Sequence, residues 1–222
     1  AAEKGIGVLI DAEESWIQQP LDDLTFDLMS KYNKKKPIIY NTVQLYRKDR
    51  LQFFKNVVNR AKDAGFIYAA KLVRGAYMEK EGKRAKKLKY ENPIQSSKED
   101  TDKDYNEAVK FAIENIAAVA VCVATHNEQS TLLATQLMQK KHLSHHHPHI
   151  HFSQLYGMSD NITFNLAIEG YNTHKYLPYG PVKDVIPYLI RRAQENTSVS
   201  GQMSRELKLL KEEVRRRKLF VL

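Results

Sequence analysis

Six strand-like runs recur along this 222-residue chain, and stretches with helical spacing separate them. The runs are Gly7–Asp11, Pro37–Gln44, Phe66–Val73, Ile116–Ala124, His149–Leu155 and Thr173–Leu177. The first of these runs, short, apolar and ending in an acid, has the pattern of a buried strand, and the other five read as strands too. Between them, helical patterns run from the Asp11–Trp16 segment to Tyr32, from about Arg47 to Ala64 with Gly65 as C-cap, and from Asp104 to Asn115. Others run from Ser130 to Lys141 and from Asp160 to Ile168, while Glu79 to Glu99 reads as a polar excursion. A Pro- and Gly-rich turn then leads into a helix from about Val182. That helix tolerates Pro187 because it falls in or just past the first turn, where backbone N–H groups still lack partners. An amphipathic helix from about Gln202 to Leu219 closes the chain.

Strands alternating with helices predict βα units and a parallel sheet. No repeat, linker or second domain is visible, so residues 1–222 read as one domain. Two architectures compete, an open doubly wound sheet and a (β/α)₈ TIM-type barrel. No G-x-G-x-x-G follows the first strand, which weakens the nucleotide-binding open sheet. Polar residues also gather at the C-terminal ends of the strands: Asp11, Gln44, Lys71 with Arg74, Thr125 with His126, Gln154 and Tyr176. A barrel builds its active site at that end from several strands at once, so the expected fold is the barrel, lacking two of its eight strands. A parallel barrel is not expected to close on six.

Charged residues make up 27% and hydrophobic ones 42%, ordinary for a globular protein. The net charge of +9 concentrates at Lys34–Lys36, Lys80–Lys89 and Arg215–Lys218. Such runs suit an anionic surface, although solvated faces are the commoner explanation. The single cysteine, Cys122, excludes an internal disulfide framework. No apolar run reaches the length of a membrane span. The chain opens without a methionine and almost directly on a strand, which reads as a fragment or a processed form.

Lys71 interrupts an apolar strand, where an unpaired ammonium is costly. Either it snorkels from an edge strand or it faces an anion or an electron-rich ring. Asp11 reads as a base, an anchor, or the N-cap of the following helix. His126 reads as a hydrogen-bonded structural residue or a catalyst. Tyr77 offers an aromatic face and a hydroxyl. In the helix from Val182, Arg192 continues an apolar stripe formed by Val185 and Leu189. With Arg191 it is either a solvated pair or a bidentate grip for an anionic small molecule. His142, His145, His146, His147, His149 and His151 fall within ten residues, a pattern that binds metal adventitiously. No thiolate or carboxylate set accompanies them, so no functional metal is expected. The closing helix either packs on the barrel or lies on an anionic membrane.

Two motifs, Lys71-Leu-Val-Arg-Gly-Ala-Tyr77 and Tyr176-Leu-Pro-Tyr-Gly-Pro with Arg191-Arg192 and Glu195-Asn196 downstream, resemble those of proline dehydrogenases. The resemblance extends to Ile10-Asp11-Ala-Glu-Glu, Thr125-His126-Asn127 and Leu155-Tyr-Gly-Met, and so covers nearly the whole chain. It implies a distorted (β/α)₈ barrel with FAD at the C-terminal face. The enzyme would oxidise L-proline to pyrroline-5-carboxylate and pass electrons to a membrane quinone. By the same resemblance Arg191 and Arg192 grip the carboxylate, and Tyr176 packs on the ring and favours proline over hydroxyproline. Asp11 bonds Tyr176 or the pocket lining, while Tyr77 and Leu155 wall the ring. Lys71, Gln44 and Gln154 contact the flavin, with Lys71 stabilising its reduced, anionic form. Arg74, Gly75, Ala76, Met78, Ser96, Lys98, Thr125, His126, Asn127 and Glu195 match positions around the rest of the cofactor.

The chain departs from bifunctional bacterial members: Lys71 replaces an arginine, Met78 a tryptophan and Tyr156 a histidine, as in the single-function branch. The family's first two strands, one carrying a further substrate-binding lysine, would precede Asp11. Bacterial cytoplasm at the inner face of the membrane, or the mitochondrial matrix side, is the implied location, with peripheral membrane contact and no nucleic acid. The alternatives are a hydroxyproline or other cyclic-amine oxidising flavoenzyme, or a basic binding scaffold without catalysis.

Overall fold

The computed structural model describes residues 1–198, 208 and 211–217, with side chains described to residue 190 and again at 208 and 211–217. Six strands form one parallel sheet: β1 (Val8–Leu9), β2 (Ile39–Gln44), β3 (Tyr68–Val73), β4 (Val119–Ala124), β5 (Ile150–Leu155) and β6 (Thr173–Tyr176). Their order in the sheet is their order in the chain, and each pairs in parallel with the next. A doubly wound sheet would reverse its order at a switch point; an unbroken succession is what a barrel wall requires. The helices are α1 (Ser15–Tyr32), α2 (Arg50–Asp63), α3 (Met78–Leu88), α4 (Lys98–Glu114), α5 (Glu128–Lys140), α6 (Asp160–Ile168) and α7 (Val182–Ser198).

Alternation along β3 sorts the two faces of the sheet. Tyr68, Ala70 and Leu72 point into the main core, where Val57 and Val58 of α2 and Ala108, Val109 and Ala112 of α4 meet Val119, Val121 and Val123 of β4. Ala69 joins the small inner cluster with Tyr40 and Ala120, and Lys71 and Val73 line a groove on the same inner side. Helices thus cover one face. The other curls around a groove reached by all six strands, through Leu9, Tyr40, Lys71, Cys122, Ser153 and Tyr176. The result is an open half-barrel.

Local signals hold the helices in register. Gly65, at φ +69°, ends α2 in a Schellman motif: its N–H donates to the Lys62 carbonyl and that of Phe66 to the Ala61 carbonyl. Ser97 and Asn127 cap α4 and α5, accepting from the N–H groups of Asp100 and Ser130. A buried pair between Arg50 and Asp22 at 2.8 Å ties α2 to α1, and Asn41 of β2 donates to the same carboxylate at 2.8 Å.

Two expectations are corrected. The polar excursion at Glu79–Glu99 contains α3, whose only buried residues are Glu81 and Ala85. A helix that docks through one carboxylate and one methyl leaves no apolar period to read. The first strand is not buried: Val8 and Leu9 are 37% and 42% exposed, because β1 pairs only with β2 and stands at the sheet edge. Most of the closing helix from Gln202 to Leu219 lies outside the described residues, although 211–216 are helical. Among the described residues no helix is long and apolar enough to cross a membrane.

Candidate functional site

The groove has a volume of about 2100 Å³, room for a ligand larger than a single amino acid. Its floor is a row set by strand register, Thr42 beside Lys71, Lys71 beside Cys122, and Cys122 beside His151. Nearer the C-terminal ends, Gln44 lies beside Val73 and Leu155 beside Tyr176. Burial pushes the Cys122 thiol up to about 12, against a smaller opposing effect of the Lys71 ammonium, so it is a packed thiol and not a nucleophile.

Lys71 is neither an edge residue nor unpaired: it sits in a central strand and forms an ion pair with Asp11. Asp11 does not cap α1, whose N-cap is Glu14. The segment after Asp11 is fastened residue by residue. Gln44 Nε2 donates to the Glu13 carbonyl at 2.7 Å, and Tyr77 Oη to Glu13 Oε2 at 3.0 Å. Lys80 donates to Glu14 at 2.8 Å and holds that carboxyl below its ordinary range. Glu81, fully buried, accepts from Ser15 N at 2.6 Å and Ser15 Oγ at 2.7 Å, which closes the N-terminus of α1 from α3. Glu13 and Glu81 escaped the sequence reading, although Glu81 stands in a run of lysines where a helix-capping acid has no local signature.

Elsewhere in the groove, Arg74 is fixed through one hydrogen bond from each of its three guanidinium nitrogens. Nε donates to Asp102 at 2.6 Å, Nη1 to Thr125 Oγ1 at 2.7 Å and Nη2 to Ser130 Oγ at 3.0 Å, with the Tyr105 ring 4.4 Å below. Lys98 donates to the other oxygen of Asp102 at 2.5 Å. Burial opposes ionisation of Asp102, but the hydrogen bonds from Lys98 and Arg74 outweigh it and keep its carboxyl below the usual range. Thr125 also accepts from Asn127 N at 3.0 Å, and His126 Nδ1 lies 3.0 Å from Ser159 Oγ. Gln154 is buried between the Thr125 carbonyl at 3.3 Å and Thr163 Oγ1 at 2.8 Å. At Gly75, with φ +142°, an added Cβ would lie 2.4 Å from the Tyr46 ring, so this glycine is required by packing.

The structure therefore brings Asp11, Gln44, Lys71, Arg74, Gly75, Ala76 and Tyr77 to one groove with Lys98, Thr125, His126, Asn127, Gln154, Leu155 and Tyr176. It does not bring Met78, 59% exposed, or the exposed Ser96 to the groove wall. Both follow the end of β3 on the outward-running excursion. The side chains of Arg191, Arg192 and Glu195 lie outside the described residues. Three histidines of the run make contacts: His145 stacks on Tyr171 at 4.1 Å, His149 bonds the Ile116 carbonyl at 3.0 Å, and His151 bonds His174 at 2.9 Å. Among the described residues no group of three or more potential ligands is placed to hold a metal ion.

Known proteins resemble this chain in sequence and in architecture. Residues 1–205 match the family model described as "Proline dehydrogenase". The chain is 41% identical over 222 residues to "Proline dehydrogenase 1, mitochondrial" of Caenorhabditis elegans, covering 98% of this chain and 36% of that protein. It is 38% identical over 216 residues to "Hydroxyproline dehydrogenase" of Xenopus laevis, covering 96% of this chain and 46% of the relative. It thus spans between about a third and a half of these relatives' length. The crystal structure of proline utilization A from Bdellovibrio bacteriovorus inactivated by N-propargylglycine superposes with a TM-score of 0.82 at 26% identity, over 89% of this chain and 20% of that one. That superposition identifies the open half-barrel as part of a TIM-type barrel. A family match along almost the whole chain, on a sheet whose strand ends collect the motif residues in one groove, establishes that the chain belongs to the proline dehydrogenase family.

Proposed function

We propose that the protein oxidises L-proline to pyrroline-5-carboxylate with FAD as its cofactor and a membrane quinone as the final electron acceptor. Membership of the family implies a flavin; its identity as FAD belongs to the proposal. One observation carries the reading: most described residues of both long motifs, Lys71 with Arg74, Gly75, Ala76 and Tyr77 from the first and Tyr176, Pro178 and Tyr179 from the second, line one groove together with Asp11 and Lys98. The residues present fit a flavin dinucleotide. The groove is roomy enough at about 2100 Å³, and the ammonium of Lys71 lines it. Two cations and the capped N-terminus of α5 gather where a negatively charged stretch would lie.

When bound, the flavin supplies the two-electron acceptor for the carbon next to the proline amine. The chain's own part is positioning and electrostatics. Lys71, held by Asp11, presents a fixed positive charge at the floor, where charge accumulates on reduction, without having to reorganise. Tyr77, Leu155 and Tyr176 present largely apolar surface that excludes water from the substrate ring and favours the uncharged amine. Arg191 and Arg192 serve as the bidentate grip for the substrate carboxylate.

The mitochondrial naming of the nematode relative favours the matrix side of the inner membrane over a bacterial cytoplasm. A second reading, hydroxyproline oxidation, draws support from the Xenopus relative, and Tyr176 at the groove wall argues against it. The visible spectrum of the purified protein with FAD, taken before and after anaerobic L-proline and then hydroxyproline, separates these. Bleaching by proline alone supports the proposal, bleaching by hydroxyproline supports the second reading, and no flavin uptake overturns both.

A further inference from the structure

Asp102 is absent from both motifs, yet it holds two of the residues that the preceding reading places against the cofactor. Its Oδ1 accepts from Arg74 at 2.6 Å and its Oδ2 from Lys98 at 2.5 Å. The two cations come from different elements, Arg74 from just beyond β3 and Lys98 from the first residue of α4, and both line the groove. Arg74 has the rigid surroundings described above, with side chains of Arg74 and Asp102 exposed by 22% and 25%. Lys98 is different: its side chain is 72% exposed, and Asp102 is its only ion-pair partner among the described residues. An exposed lysine loses considerable rotamer entropy on being fixed, and a single surface pair compensates weakly. The carboxylate also offsets the repulsion between two like charges drawn to within hydrogen-bond reach of one group. One carboxylate between two cations leaves a net positive charge, so an anion arriving from the groove is still attracted.

We propose that Asp102 is a positioning residue that sets Arg74 and Lys98 as a two-pronged clamp for the phosphate-bearing part of the cofactor. The inference rests on the reading of the site as a flavin dinucleotide site. If Asp102 were only a nearby negative charge, neutralising it would tighten anion binding. If it positions the clamp, neutralising it loosens binding of FAD while leaving a flavin without phosphates unaffected.

The test is titration of the purified protein with FAD and, separately, with riboflavin, followed by quenching of flavin fluorescence, for the wild type, Asp102→Asn, Lys98→Met and the double variant. Expected is an FAD dissociation constant raised at least tenfold in Asp102→Asn, with that for riboflavin changed less than twofold. Lys98→Met replaces a mostly exposed side chain and does not threaten folding. It should weaken FAD several-fold in the wild type and have no further effect in the Asp102→Asn background, where the lysine is already released. Unchanged or tighter FAD binding in Asp102→Asn, equal losses for FAD and riboflavin, or additive losses in the double variant would each overturn the proposal while leaving the flavin reading standing. A wild type that binds neither ligand overturns that reading and the proposal with it.

Discussion

At the scale of single residues, the same side chain often answers to packing and to chemistry at once. Gly75 belongs to a motif matched to cofactor contact, but its φ of +142° and the Tyr46 ring 2.4 Å from where a Cβ would sit give it a structural reason of its own. Gly75→Ala should therefore cost about 3 kcal/mol or more, from overpacking and backbone strain together. The urea unfolding midpoint measures this without any ligand. Lys71 is the opposite case, since its environment is costly and its use is electrostatic. Lys71→Met removes the ammonium and leaves Asp11 without its ion-pair partner. If the ammonium stabilises charge that develops on reduction, the anaerobic rate of flavin reduction by L-proline should fall by about 10²–10³-fold. An unchanged rate would assign Lys71 to folding alone.

At the scale of elements, the edge of the half-barrel is fastened by polar groups more than by apolar ones. The segment Asp11–Ser15 follows a two-residue strand and is tied down by Lys71, Gln44, Tyr77, Lys80 and Glu81. Glu81 is the most deeply buried member of this set, and Ser15 N and Oγ are both its donors. Glu81→Ala leaves those donors unmet and should destabilise the protein by about 1–3 kcal/mol. Glu81→Gln keeps acceptor capacity and should cost less. Amide exchange of residues 13–17 should quicken in the alanine variant before the rest of the sheet is affected. Equal protection in both variants would show that α1 does not depend on α3 for its cap. This dependence also explains why α3 was not legible in advance. Its docking is one carboxylate meeting one helix terminus across 66 positions of sequence, and no local pattern encodes that. The C-cap glycine at 65 was legible because its partners lie within a few residues.

At the scale of the whole molecule, titration behaviour reflects how much ionisable surface the fold has closed off. Burial pushes the hydroxyls of Tyr40, Tyr46, Tyr68 and Tyr105 well above their ordinary value of 10.0, and the Cys122 thiol from 9.0 up to about 12. Folded values raised above unfolded ones mean that the unfolded chain releases protons which the folded chain keeps. Stability is therefore full below about pH 9 and is lost as pH climbs through the range above it. Each group contributes about 1.4 kcal/mol per pH unit across its own interval. The urea midpoint should be flat from pH 7 to pH 8.5 and fall steeply between pH 9.5 and pH 11. Tyr68→Phe should blunt the fall, and a midpoint independent of pH across that range would contradict the burial of these groups.

The sequence by itself determined the succession of strands, the parallel sheet and the family. Strand and helix periods are local, caps are local, and the motif residues sit at strand ends whose position is set by where apolar runs stop. Only the tertiary structure decided which polar residues meet. Asp11 pairs with Lys71 and Arg74 with Asp102 because parallel register brings neighbouring strand ends together and helices return over them. Partners dozens of residues apart are selected by that geometry, and a chain read one window at a time carries no trace of it.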